Sequence, residues 1–144
     1  MTLSKVQASA PRVAVVEDAD ELRDLAVDDL ASRGCVVTGL ASAEALYRDM
    51  SIHAVDVVVL DIGLPGESGF GVAAHLRQLS RIRIIRLTGR GGPATMQRCL
   101  AEGADAFLAK QVDYDALASA VTRLHRQRLA VEPGVTVIPA LAQS

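Results

Sequence analysis

The chain has 144 residues, of which half are hydrophobic and 22% are charged, so its composition argues for about one folded domain and against a disordered chain. Its net charge of −2 gives no electrostatic footprint for nucleic acid, and its two cysteines lack metal-binding spacing. No apolar run approaches membrane-spanning length and the N-terminus has no hydrophobic signal core, so we expect a soluble, cytoplasmic protein.

Strand and helix patterns alternate five times along the chain. Short β-branched runs indicate strands, and apolar residues spaced three and four apart indicate helices. In chain order, the predicted elements are strand 12–17, helix 20–33, strand 36–40, a helix capped by Ser42 that ends at 50, strand 54–61, helix 69–79, strand 82–87, a helix from Pro93 that ends before Gly103, strand 106–109 and a last helix capped by Asp113.

Some helical residues are assigned to the core and others to the surface. The apolar stripes of the first and fourth helices, which we expect to pack on the sheet, consist of Leu22, Leu25, Ala26 and Leu30, and of Met96, Cys99 and Leu100. The basic residues near the end of the last helix, which we expect to face solvent, are Arg123, Arg126 and Arg128.

Strands that alternate with helices over short loops lie parallel and are joined by right-handed crossovers, so helices cover both faces of the sheet. Five strands fit a flavodoxin-like order, and no G-x-G-x-x-G follows the first strand. We therefore predict an α/β fold: a flavodoxin-like (βα)5 three-layer sandwich with a parallel five-stranded sheet of order 2-1-3-4-5.

Polar residues stand at the carboxyl ends of four predicted strands, where open α/β sheets bind ligands. They are Glu17 and Asp18 after strand 1, Asp61 after strand 3, Thr88 after strand 4 and Lys110 after strand 5. We expect all five side chains to converge on one crevice.

The three carboxylates would repel one another, and a hard divalent cation between them would offset the repulsion. Mg²⁺ suits a site with few protein ligands because it keeps several waters and binds phosphate. The predicted protein ligands are Glu17, Asp18, Asp61 and the backbone carbonyl of Gly63.

The two remaining residues point to phosphoryl chemistry. Thr88 and Lys110 both donate hydrogen bonds, which suits the equatorial oxygens of a phosphoryl group opposite a metal. A carboxylate is a competent nucleophile towards phosphorus. The pattern therefore predicts a phospho-acceptor with Asp61 as its nucleophile.

These residues, in this order, resemble the receiver domains of response regulators in bacterial two-component systems. The matching segments are Val16-Glu17-Asp18, Asp61-Ile62-Gly63-Leu64-Pro65-Gly66, Leu87-Thr88, and Gly103-Ala104-Asp105 leading to Phe107 and Lys110. Each segment is weak alone, but together they support a resemblance over residues 12–128.

The resemblance implies a signalling switch in which a sensor histidine kinase phosphorylates Asp61 in the presence of Mg²⁺. It implies that Thr88 and Lys110 contact the phosphoryl oxygens, and that Phe107, in the position of the family's switch aromatic, turns inward as Thr88 moves. We expect control of transcription through an output domain or through DNA bound by a further C-terminal domain. We expect no enzymatic activity beyond self-catalysed phosphotransfer and dephosphorylation.

The sequence departs from the family's usual pattern at the lysine and at the dimer face. Gln111 stands where Pro usually follows the lysine, so we expect a trans bond between Lys110 and Gln111 and a different path into the last helix. The segment 87–90 resembles the winged-helix DNA-binding subfamily, which typically dimerises through charged pairs on helix 4, strand 5 and helix 5. A homodimer through that face would lack the usual pairs, because their positions hold Ala106, Ala116 and Ala120.

Two other functions stay open. An aspartyl-phosphate phosphatase or phosphotransferase usually needs a general acid at position 63, which is Gly. A phosphorylation-independent interaction module on the same fold is favoured only by Gln111. We divide the chain into an N-terminal extension (1–11), a receiver domain (12–128) and a linker or tail (129–144), whose apolar run 135–138 suggests a longer regulator.

Overall fold

The computed structural model describes residues 10–61, 69–79, 81–88, 93–109 and 113–130. Within these ranges, strands and helices alternate in the predicted order. The predictions that concern Gly63, Lys110, Gln111 and the run 135–138 lie outside the described residues.

The elements have bounds close to those predicted. The strands are β1 (Arg12–Val16), β2 (Val36–Leu40), β3 (Val57–Asp61), β4 (Arg83–Thr88) and β5 (Ala106–Ala109). The helices are α1 (Asp20–Ser32), α2 (Ala43–Met50), α3 (Gly69–Leu79), α4 (Pro93–Ala101) and α5 (Tyr114–Ala130), so that α5 continues past the predicted domain boundary at 128. Ser42 caps α2 by accepting a 3.1 Å hydrogen bond from the backbone N–H of Ala45. No helix in the described ranges combines the length and apolar character that a membrane crossing requires.

The sheet has the predicted flavodoxin-like order, β2-β1-β3-β4-β5, and all neighbouring strands are parallel. All five residues of the central strand β3 are buried, which explains its unbroken apolar run before Asp61. The register places Leu60 beside Arg86 and Asp61 beside Leu87. This pairing fixes which side chains meet at the carboxyl edge.

Two apolar clusters hold the helices on opposite faces of the sheet. On one face, residues of α2, α3 and α4 such as Leu46 and Leu76 pack on the strands. On the other face, residues of α1 and α5 such as Leu30 and Leu117 do so. The described part of the chain therefore has the predicted three layers.

The stripes predicted for α1 and α4 are only partly buried, which corrects the expectation that all their members pack on the sheet. Ala26, Leu30 and Cys99 are buried. The exposed members are Leu22, Leu25, Met96 and Leu100, with exposed fractions of 41, 55, 41 and 48%. Each residue lies about 100° further round a helix than the one before it, so members at the edge of a stripe turn away from the sheet.

A buried carboxylate joins three elements at the amino-terminal edge of the sheet. Asp56 is 1% exposed and accepts hydrogen bonds from the backbone N–H of Arg12 (2.9 Å), from its Nε (3.0 Å) and Nη2 (3.1 Å), and from Arg128 Nη1 (2.6 Å). Burial would raise the pKa of Asp56, but the hydrogen bonds and charge of Arg12 outweigh it and hold that pKa below its ordinary value. The guanidinium of Arg128 is bound by Asp56. Arg128 therefore does not belong to a basic face that is wholly exposed to solvent, as the sequence suggested.

Candidate functional site

The carboxyl edge of the sheet brings three acidic side chains together. Glu17 and Asp18 follow β1 directly, and Asp61 ends β3, the strand beside it. One carboxylate oxygen from each residue lies within 4.8 Å of those of the other two. Glu17 and Asp61 are each 4% exposed, whereas Asp18 is exposed. The fold thus gathers the three acids that the sequence placed at neighbouring strand ends.

This cluster has the donor chemistry of a site for a hard divalent cation. Carboxylates at this separation repel one another, more strongly where two of them are withdrawn from water. Oxygen ligands suit Mg²⁺, and the exposed side of Asp18 leaves room for the waters that this ion retains. The residues present therefore fit the metal that the resemblance implies.

Local hydrogen bonds orient the loop that carries Glu17 and Asp18. Glu17 Oε2 accepts a 3.0 Å hydrogen bond from the backbone N–H of Ala19, and the Glu17 carbonyl accepts one of 2.8 Å from Arg23 Nη1. The backbone N–H of Glu17 donates to the carbonyl of Leu40 on β2 at 2.9 Å. The loop is therefore tied to both α1 and β2, which restricts where the two carboxylates can point.

Thr88 reaches the same edge of the sheet from β4. It is 6% exposed, and it stands one residue beyond Leu87, the register partner of Asp61. Lys110 is the residue that follows β5, but it and the carbonyl of Gly63 lie outside the described residues. The register thus places Thr88 at the same edge of the sheet as Asp61, and the predicted contacts of Thr88, Lys110 and Gly63 stay predictions.

Phe107 lies half-buried on β5 and packs against the cluster formed by α2, α3 and α4. Its register partner on β4 is Arg86, two residues before Thr88. Because side chains alternate along a strand, Arg86 and Thr88 are directed to the same face of β4. Phe107 and Thr88 therefore belong to neighbouring strands near one edge, and the switch role of Phe107 stays a prediction.

One charged residue behind the site was missed by the sequence analysis. Arg86 is 0% exposed in β4, a strand whose other members are mostly apolar. Burial lowers the pKa of its guanidinium, whereas Cys99, Glu102 and Asp61 act in the opposite direction. The available signal was an arginine between Ile84 and Thr88 on the inward-facing side of the strand, since such a position normally holds an apolar residue.

Comparisons with known proteins agree with this picture. A family model described as response regulator receiver domain matches residues 13–122. The two-component response regulator PhoP of Pseudomonas aeruginosa is 36% identical over 118 residues, a match that covers 81% of this chain and 52% of that protein. The phosphate regulon transcriptional regulatory protein PhoB of Rhizobium meliloti is 32% identical over 120 residues, covering 81% of this chain and 53% of that protein. The chain therefore spans about half the length of the curated relatives that it matches.

A solved structure shows the same fold. A response regulator receiver domain from Clostridium thermocellum matches with a TM-score of 0.79 and 22% identity, over 85% of this chain and 99% of that chain. Identity at this level bears on the fold alone, and it agrees with the observed strand order.

Proposed function

The chain belongs to the response regulator receiver domain family, and on this premise we propose that it is a phosphorylation-activated signalling switch with Asp61 as its phospho-acceptor. The observation that carries the proposal is the approach of the Glu17, Asp18 and Asp61 carboxylates to within 4.8 Å of one another. Such a cluster of carboxylates can bind a divalent cation, and a bound cation can neutralise the negative charge of an incoming phosphoryl group.

In the proposed reaction, a carboxylate oxygen of Asp61 attacks the phosphorus of a phosphohistidine on a sensor histidine kinase. An O–P bond forms, the P–N bond breaks, and its electron pair stays with the departing imidazole. The product is an acyl phosphate on Asp61. The burial of Asp61 and the hydrogen-bonded loop around Glu17 support this role, because both restrict the motion of the reacting group.

Glu17, Asp18 and Asp61 would hold Mg²⁺, together with the backbone carbonyl of Gly63. The bound ion would supply positive charge at the phosphoryl oxygens. Thr88 and Lys110 would donate hydrogen bonds to those oxygens from the adjoining strand ends. The position of Thr88 at the carboxyl end of β4, beside the strand of Asp61, supports its part of this assignment.

Thr88 and Phe107 would then couple phosphorylation of Asp61 to a conformational change at the surface of the domain. We propose that Thr88 moves towards the phosphoryl group and that Phe107 turns inward in response. Phe107 is half-buried at the margin of the α2–α3–α4 cluster, so a change in its side chain would alter the packing of that face. We also propose that a homodimer would form through the surface of α4, β5 and α5, without the usual charge pairs.

The partners and the output are also part of the proposal. The similar protein from Rhizobium meliloti is named a transcriptional regulatory protein, which supports control of transcription here through an output domain or DNA. We assign residues 12–128 to the receiver domain, 1–11 to an extension and 129–144 to a linker or tail. The protein would act in the cytoplasm with a sensor histidine kinase.

Binding of beryllofluoride, a phosphoryl mimic, tests the proposal. We expect the wild-type protein to bind it in the presence of Mg²⁺, detected by ¹⁹F NMR, and Asp61→Asn to lose binding. Asp24→Asn, which removes an exposed acid on α1, serves as the control and should bind normally. Absence of binding to the wild-type protein would favour the phosphorylation-independent module, and steady turnover of a phosphomonoester would favour the phosphatase.

A further inference from the structure

Arg86 places a permanent positive charge inside the domain, next to the proposed acceptor site. It is the largest fully buried side chain of the described residues. Ile84 and Thr88 flank it on its own strand, and its cross-strand neighbours are Leu60 and Phe107. A buried guanidinium stays protonated and is unfavourable unless anions surround it. The anionic groups near Arg86 therefore indicate which site its charge stabilises.

The charges of two carboxylates act on this guanidinium. Glu102 directly follows α4, and its Oε2 is buried without a hydrogen bond to any residue in the described ranges. Asp61 follows Leu60, the residue beside Arg86 in the register. Both carboxylates attract the guanidinium charge. The charge of Arg86 thus interacts both with Glu102, the residue after α4, and with Asp61, the proposed acceptor.

We propose that Arg86 is a positioning residue of the acceptor site, whose buried charge favours the added negative charge of a phosphoryl group on Asp61. This inference rests on the proposed function and adds a residue to it. Phosphorylation changes Asp61 from a singly charged carboxylate to a phosphoryl group with more negative charge. Because Arg86 is buried, its attraction for that charge is weakly screened by water and salt.

A fixed positive charge behind three acids has opposite effects on the two ligands of the site. It opposes binding of Mg²⁺ to the free acids, and it favours binding of the anionic phosphoryl group once Mg²⁺ is present. A residue that merely supports the core would affect both affinities in the same direction, through the shape of the site. The signs of the two changes therefore separate an electrostatic role from a structural one.

The test measures two affinities by calorimetry: Mg²⁺ alone, and beryllofluoride at saturating Mg²⁺. Arg86→Met and Arg86→Gln remove the charge and keep a side chain of moderate length. We expect both to bind Mg²⁺ more tightly and beryllofluoride more weakly, each by roughly threefold or more, as expected for the loss of one nearby buried charge. Arg86→Lys, measured at a pH at which the buried lysine is protonated, keeps the charge and should stay close to wild type.

Two further variants sharpen the comparison. Glu102→Gln removes an anion that offsets Arg86, so it should weaken Mg²⁺ binding and strengthen beryllofluoride binding. Arg83→Met is the matched control, because Arg83 lies on the same strand but its Nη1 is 3.6 Å from Asp105 Oδ1. It should not shift the two affinities in opposite directions.

The proposal is overturned if Arg86→Met and Arg86→Gln lower both affinities together, or if they change neither. Failure of wild-type protein to bind beryllofluoride would instead refute the proposed function, and the Mg²⁺ titrations would still decide whether Arg86 acts on the acids. Thermal unfolding of each variant identifies any that fails to fold. If Arg86→Met does not fold, the two other variants still test the proposal. Arg86→Gln must then bind Mg²⁺ more tightly and beryllofluoride more weakly, and Glu102→Gln must show the reverse of both changes.

Discussion

Arg128 Nη1 donates a 2.6 Å hydrogen bond to Asp56 Oδ1, and so joins the last turns of α5 to the start of β3 across 72 residues of sequence. The same carboxylate accepts hydrogen bonds from the backbone and guanidinium of Arg12 on β1. One buried acid thus ties together two strands and a helix, at the edge opposite the acceptor site.

Asp56→Asn should lower the free energy of unfolding by about 2–4 kcal/mol, because it leaves two guanidinium groups without their shared anion. The partial exposure of Arg12, 49% at the side chain, keeps the loss from being larger. Urea unfolding of the wild-type protein and of Asp56→Asn measures this loss of free energy. The control is Asp29→Asn, whose partner Arg33 lies on the helix surface, and its loss should stay below about 1 kcal/mol. Equal losses in the two variants would contradict the role given to Asp56.

Stability should fall as the pH decreases below about 6.5, because burial lowers the pKa of His125. Asp56 opposes this shift, while Arg128 and Arg12 add to it. A folded-state pKa below the unfolded one means that the unfolded chain binds more protons, so stability is present above about pH 6.5 and is lost as the pH falls towards the folded pKa. The part due to Asp56, whose pKa is also lowered, is lost only below about pH 4.

Urea unfolding between pH 7.5 and pH 5 checks this dependence. His125→Gln should flatten the curve, because it removes the titrating group. An unchanged slope in His125→Gln would assign the pH dependence to other groups.

Asp18→Asn should weaken Mg²⁺ binding by about tenfold or more, since it removes one charge of the three-carboxylate cluster. Calorimetric titration measures the affinity, and Mg²⁺ should raise the melting temperature of the wild-type protein more than that of the variant. Asp20→Asn is the control, because that nearby acid pairs with Arg23 and lies outside the cluster. If both variants bound Mg²⁺ as wild type does, the metal site would lie elsewhere.

The strand order and the acid cluster could be predicted because both follow from local patterns. Alternating strand and helix signals restrict the sheet to a few orders, and the residue that ends each strand is readable from the sequence. Glu17, Asp18 and Asp61 therefore met as predicted, with no knowledge of side-chain packing. The contacts of Lys110 depend on the segment around Gln111, which lies outside the described residues.

The contacts of Arg86, Arg128 and Leu25 could not be read from local patterns. Arg128 looks like any solvent-facing basic residue until the fold brings Asp56 to it. Leu25 fits an apolar stripe but lies too far round α1 to reach the sheet, and is 55% exposed. The alternation of β4 marks Arg86 as an unusual inward-facing residue, but only the register shows that its neighbours are Leu60 and Phe107.

The acceptor assignment is tested by incubating the protein with acetyl phosphate and Mg²⁺ and measuring its intact mass. Wild-type protein and the exposed-acid control Asp24→Asn should each gain one phosphoryl group as acetate departs, whereas Asp61→Asn should gain none. Labelling of Asp61→Asn to the wild-type extent, or no labelling of the wild-type protein, would contradict the assignment.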